Sequence, residues 1–254
     1  MRFASLGSGS EGNGLVVEAR DTRVLIDCGF GVRDTVARLA RLGIEPESVS
    51  AILVTHEHSD HVGGVPAFAA RYRIPVWLTF GTMQVVGERF VRAERVYGFD
   101  SHDAFGIGEL EIRPFPVPHD AREPVQFVVG DGGHRLGVLT DLGVSTPHVE
   151  ASLSGCDALV LECNHDAGML AESDYPYPLK QRIAGRLGHL DNEAAASLLA
   201  SLDTSRLRHV VAAHLSQQNN TPDRARAALA GALNCAPDWI GIADQADGFA
   251  WRDL

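Results

Sequence analysis

The sequence contains no apolar run of the roughly 18 residues that a membrane-spanning helix requires. Its opening, Met1-Arg2-Phe3-Ala4-Ser5, leads straight into a strand pattern and lacks a signal-peptide apolar core, so the expected address is the cytoplasm. Four cysteines (Cys28, Cys156, Cys163, Cys235) are scattered without C-x-x-C spacing, which argues against a zinc ribbon or a redox pair. Cys28 and Cys163 fall at strand ends, where they read first as buried structural thiols and second as neighbours of a site. There is no G-x-x-x-x-G-K-[ST] phosphate loop and no G-x-S-x-G nucleophile elbow. No linker, low-complexity tract or fixed-period repeat divides the chain, so residues 1–254 read as one domain. The formal net charge of −11 excludes a broad basic surface, because phosphate binding needs clustered Arg and Lys. Any such footprint is local. The best places are Lys180-Gln181-Arg182 with Arg186, and Arg33, Arg38 and Arg41 on one expected helix. Both sets also read as solvated helical faces.

Hydrophobic residues make up 45% and charged residues 22%, the balance of a soluble globular protein, and 254 residues suffice to bury one α/β core. The chemistry concentrates in His56-Glu57-His58-Ser59-Asp60-His61. This segment follows Ala51-Ile52-Leu53-Val54-Thr55, an apolar run that reads as a buried strand. Side chains alternate along an extended loop, so His56 and His58 can face one metal together while Asp60 and His61 turn toward a second position. Gly63-Gly64 permits a tight turn, and Val65-Pro66 opens a helix. Imidazole and carboxylate suit zinc, manganese or iron better than magnesium or calcium. A solvated loop with chance histidines is the bland alternative, and H-x-H-x-D-H spacing argues against it.

That pattern after a hydrophobic strand resembles the metallo-β-lactamase superfamily, and the resemblance runs over nearly the whole chain. The opening Leu6-Gly7-Ser8-Gly9-Ser10-Glu11-Gly12-Asn13 resembles the glycine-serine loop of the YycJ/WalJ branch, described as DNA-processing exonucleases. Glu162-Cys163-Asn164-His165-Asp166, Gly188-His189 and His214-Leu215-Ser216 resemble that branch too. The resemblance implies an α/β (α+β) fold, a single-domain four-layer αββα sandwich with its site at one edge between the sheets. It also implies ligands from three further strand ends. They are His119 after Pro116-Val117-Pro118, Asp141 after Leu139-Thr140, and His214 after Ala212-Ala213. On this reading His56, His58 and His119 hold the first metal, Asp60, His61 and His214 the second, and Asp141 bridges them. The two ions would lie about 3.5–4 Å apart and clamp attacking and leaving oxygens. Taken alone, His119 and His214 would read as buried structural histidines.

The surrounding residues choose the substrate. Leu159-Val160-Leu161-Glu162, with His189 and Glu193-Ala194-Ala195 later, is similar to the RNase Z pattern, in which a glutamate–histidine pair protonates the departing oxygen. A phosphodiester leaving group needs such an acid. Asp60, Glu162, His189 and His165 are therefore the catalytic candidates, with His165 competing with His189 for the acid role. Ser8, Ser10, Asn13 and Ser216 offer donors to a phosphate. The implied activity is a metal-dependent hydrolase, a phosphodiesterase that acts as an exonuclease on DNA ends. The alternatives are a PhnP-type enzyme on small cyclic phosphodiesters and a non-catalytic scaffold that retains structural metals. The chain is too short for the extra domain of RNase J-type nucleases. The implied cofactors are two divalent ions, Zn2+ or Mn2+ or Fe. The implied partners are nucleic acid or a small phosphodiester and no membrane, with room for a homodimer.

Strands are expected at Phe3–Leu6, Leu15–Ala19, Val24–Asp27, Ile52–Thr55, Val76–Thr79, Leu110–Val117, Ala158–Cys163 and Val210–Ala213. A hairpin is expected about Asp131-Gly132-Gly133, and a closing hairpin joins Ile240–Ala243 to Phe249–Trp251. Helices are expected near Asp34–Leu42, Val65–Tyr72 and Glu193–Leu202, and from Thr221-Pro222 to about Leu233.

Overall fold

The computed structural model describes residues 1–93 and 95–254. The first half runs β1 (Arg2–Gly7), β2 (Gly14–Ala19), β3 (Thr22–Ile26), α1 (Val32–Arg41), β4 (Ala51–Leu53), α2 (Ser59–Val62), α3 (Val65–Tyr72), β5 (Val76–Thr79), α4 (Phe80–Val86) and β6 (Val96–Phe99). The second runs β7 (Phe105–Ile107), β8 (Leu110–Pro116), β9 (Val125–Gly130), β10 (Arg135–Leu139), α5 (Pro147–Leu153), β11 (Ala158–Glu162), α6 (Ala167–Glu172), α7 (Tyr177–Ile183), α8 (Asn192–Ser201), β12 (His209–Ala213), α9 (Pro222–Leu233), β13 (Gly241–Ile242) and β14 (Phe249–Asp253).

The strands form two sheets, ordered β14-β1-β2-β3-β4-β5-β6 and β13-β12-β11-β10-β9-β8-β7. Each is antiparallel on one side and parallel on the other, with β3 to β6 parallel in the first and β10 to β13 parallel in the second. Central strands such as β2, β9 and β11 are buried at every residue, as continuous apolar runs between two covering layers should be. Phe3, Val17, Ile26 and Leu53 of the first sheet pack on Ile112, Phe127, Val138 and Val160 of the second. Outside, Leu39, Val65 and Phe68 close one face, while Leu198, Leu199, Ala225 and Leu229 close the other. The result is the expected αββα sandwich. Among the described residues, no helix is long and apolar enough to cross a membrane.

Local signals hold where they carry a mechanism. Asp191 caps α8 by accepting from the Ala194 N–H, and Thr221 caps α9 ahead of Pro222. The Asp131-Gly132-Gly133 turn joins antiparallel β9 and β10, with Gly132 at φ +87°. The expected closing hairpin is corrected. β13 pairs with β12, whereas β14 crosses to the other sheet and pairs with β1, and a single bridge, Asp244 with Gly248, joins the two arms. The physical reason is that β1 offers an open edge and a partner for Phe249, whose ring meets Phe3 at 5.7 Å. Sequence reasoning also missed β6, β7 and α4 to α7. Three- or four-residue strands and six- or seven-residue helices are too short to display a period.

Candidate metal centre

Parallel pairing points the carboxyl ends of β4, β10, β11 and β12 at one edge of the sandwich, and each continues into a polar residue. Residues 54–61 follow β4, Asp141 follows β10, Glu162 ends β11, and His214 follows β12. His119 arrives just past antiparallel β8. The ring nitrogens of His56 (Nε2) and His58 (Nδ1) stand 3.0 Å apart, and His119 Nε2 stands 3.2 Å from His58 Nδ1. A second group lies beside this trio. Asp60 Oδ2 is 3.3 Å from His61 Nε2 and 3.4 Å from His214 Nε2. Asp141 lies between them, with Oδ2 3.2 Å from His61 Nε2 and Oδ1 3.7 Å from His119 Nε2. The seven residues named from sequence thus converge in overlapping clusters of ligand atoms.

The donor set fits divalent cations. Asp141 Oδ2 is buried without a hydrogen-bond partner, a costly arrangement for a carboxylate unless a cation completes it. Imidazole nitrogens at close range repel unless a proton or a metal joins them, and three nitrogens facing one point is metal-ligand geometry. The electrostatics agree. Burial would raise the Asp141 carboxyl, but His214, His61, His56 and His119 hold it well below the usual range. Burial opposes charge on His61, yet Asp141, Asp60 and Asp27 push its ring well up. His214, opposed by burial, is raised to about 10 by Asp141, Asp60 and Glu162. Burial lowers His56 and His119.

Further groups fix the rings. Asp27, which sequence reasoning assigned only to a strand, is 2% exposed at φ +60°, in the left-handed region. It accepts from the Thr55 backbone N–H and from Thr55 Oγ1, both at 2.8 Å, and its Oδ2 lies 2.8 Å from His61 Nδ1. The carboxylate selects the ring tautomer and aims Nε2 into the centre. A polar residue just past an apolar strand, the rule that picked Asp141, would also have found it. The Gly188 carbonyl does the same for His119 Nδ1 at 3.0 Å. Glu57 accepts from the Arg122 N–H at 2.6 Å and so ties the ligand loop to the loop that carries His119.

Glu162 and His189 meet as expected. His189 Nδ1 lies 2.7 Å from Glu162 Oε1, whose other oxygen accepts from the Leu142 and Leu190 N–H groups. Burial would raise Glu162, but the His189 charge keeps its carboxyl low. Burial opposes charge on His189, and Glu162 with Asp141 overcomes it and raises the ring. Among the described residues His189 Nε2 makes no hydrogen bond, and the side chain is 21% exposed. The other candidates sit differently. His165 is buried outside the ligand clusters, with Nδ1 at 3.3 Å from Asn164 Oδ1. Ser8 Oγ bonds Asn13 Oδ1 and accepts from the His214 N–H. Asn13 Nδ2 faces Gly9 O, Asp60 and His61. Ser216 accepts from the Asn219 N–H, and Ser10 is exposed on a turn. Cys28 and Cys163 are buried, and burial pushes the Cys28 thiol up to about 12.

The model of the beta-lactamase superfamily domain matches residues 22–214. The chain belongs to the β-lactamase superfamily. Within that superfamily it is 34% identical over 237 residues to exodeoxyribonuclease YycJ of Bacillus anthracis, covering 92% of this chain and 89% of the relative. It is 30% identical over 245 residues to exodeoxyribonuclease WalJ of Streptococcus pneumoniae, covering 95% and 91%. Among solved structures, the metallo-β-lactamase fold protein YhfI of Bacillus subtilis superposes with a TM-score of 0.77 over 99% of both chains at 15% identity, a likeness of fold alone.

Proposed function

We propose that this protein is a two-metal phosphodiesterase that removes nucleotides from DNA ends. The observation that carries the reading is the pairing of buried Glu162 with part-exposed His189, 2.7 Å apart at the rim of the ligand clusters. The YycJ and WalJ relatives, both exodeoxyribonucleases, match nearly end to end and supply the substrate class. His56, His58 and His119 would hold one cation, Asp60, His61 and His214 the other, with Asp141 shared. Zinc and manganese both suit these nitrogen and oxygen donors. Bound divalent cations supply Lewis acidity to the phosphoryl oxygens and an activated water. The chain's own residues do the rest. Glu162, pinned by two backbone N–H groups, accepts from His189 Nδ1, favours the protonated form of that ring and turns Nε2 outward. From there Nε2–H donates to the leaving oxygen, the step that limits departure of a poor alkoxide.

The test is cleavage of 5′- and 3′-labelled single- and double-stranded DNA and RNA, beside a cyclic phosphodiester, with zinc, manganese or iron restored after chelation. Metal-dependent release of nucleotides from one DNA end is the expected result. Turnover of the small ester alone, which the net charge of −11 favours, replaces this reading. His189→Ala should keep both metals and lose about 10²–10⁴-fold in rate on DNA, with much less loss on a p-nitrophenyl ester, whose leaving group needs no acid. Equal losses on the two would remove His189 from the acid role.

A further inference from the structure

Residues 182–189 form one wall of the centre and are tied to it repeatedly. The Leu187 carbonyl accepts from the Asp120 N–H at 3.0 Å, and the Gly188 carbonyl faces His119 Nδ1. The Ile183 carbonyl accepts from the His189 N–H at 2.8 Å. Gly143, two residues past Asp141, packs so near the Arg186 carbonyl that any side chain there would collide. On this wall stands Arg182, 59% exposed, whose Nε donates to Asp120 Oδ2 at 2.6 Å. Asp120 Oδ1 in turn lies 3.5 Å from His119 Nε2 and 3.6 Å from His58 Nε2. One carboxylate therefore sets a guanidinium beside the all-histidine trio.

Other arginines are used for structure. Arg38 and Arg41 hold the carbonyls of Leu6 and Ala246, and Arg206 pairs with buried Asp157. Arg182 engages one N–H only. Among the described residues its Nη groups make no hydrogen bond. A planar fork of free donors, anchored at the rim, matches phosphate oxygens. In a chain of net charge −11, discrimination is a matter of locally placed cations such as this one rather than of a basic field.

We propose that Arg182 clamps the phosphate next to the scissile one, so that the site selects a polynucleotide strand over an isolated phosphodiester. This rests on the phosphodiesterase reading above. A strand presents a second phosphate beside the one at the centre, and a small diester does not.

The experiment compares full-length, metal-loaded wild type, Arg182→Ala and Arg182→Lys on a labelled single-stranded oligonucleotide and on bis-p-nitrophenyl phosphate, with metal content measured for each. In Arg182→Ala the ratio of kcat/KM for oligonucleotide to that for the small diester should fall about tenfold or more, carried by KM. The salt dependence of oligonucleotide cleavage should become shallower by about one phosphate contact. Arg182→Lys should restore the salt slope while KM recovers only in part. Equal losses on both substrates would overturn the proposal, since Arg182 would then act only by holding Asp120 against His58. Oligonucleotide cleavage unchanged by Arg182→Ala would overturn it alone. A wild type that hydrolyses the small diester and no oligonucleotide would overturn the DNA reading together with it.

Discussion

His56, His58 and His119 face one another as three imidazoles, with His58 27% exposed and Asp141 reaching in from 3.7 Å. His61 and His214, by contrast, each meet several carboxylates, from Asp60, Asp141 and Asp27 for His61 and from Asp60, Asp141 and Glu162 for His214. On the two-cation reading proposed above, one sheet edge builds two positions of different charge. The second should bind its cation more tightly, because anionic donors are already in place and each ring is aimed by a further carboxylate. The first should exchange more readily.

The largest effect that tests this contrast is expected from the shared residue. Asp141→Ala should remove both cations and depress turnover by more than about 10³-fold, as losing a whole ligand set does. Elemental analysis that found a full equivalent of metal would show that Asp141 does not bridge. The next largest separates the two positions. Asp27→Ala should weaken the second cation about 10–100-fold by freeing His61, and leave the first little changed. It should also cost about 1–3 kcal/mol of stability, because the buried Thr55 N–H loses its acceptor. Metal titrations and urea unfolding measure both, and equal weakening at both positions would erase the distinction. The smallest effect is protonic. Without metal, a His214 raised to about 10 contributes stability that is fully present below its ordinary 6.5 and is lost as pH rises through 10. A cation entering at pH 8 must displace that proton. His61, the other ring at that position, is also pushed well up, so loading the metal-free protein in weak buffer should release protons from both rings with the second-position cation, and no release would contradict the raised rings.

Much of the site was legible before any fold was known, and the reason differs by residue. His56, His58, Asp60 and His61 sit in one loop, so their spacing alone implied a shared task. His119, Asp141 and His214 are single polar residues after separate strands, and only resemblance to a family joined them. Asp27 carries no such signal, because its neighbour Cys28 reads first as a structural thiol and its partner His61 lies 34 residues away. The Asp120–Arg182 pair spans 62 residues and has no local pattern at all. The closing strands fail for a related cause. Asp247-Gly248 does specify a turn, but which edge the next strand takes depends on β1, at the other end of the chain.

By itself, the sequence determined the alternation of apolar strands and capped helices, the ligand loop, and an acidic chain without a broad phosphate-binding face. These follow from period, turn chemistry and composition, which act over a few residues. Tertiary structure decided that five strand ends meet at one edge, that Glu162 turns His189 outward, and that Arg182 stands beside the histidine trio. Those depend on parallel strand pairing and on burial that brings distant carboxylates and cations within hydrogen-bond range, and neither is written in any single segment.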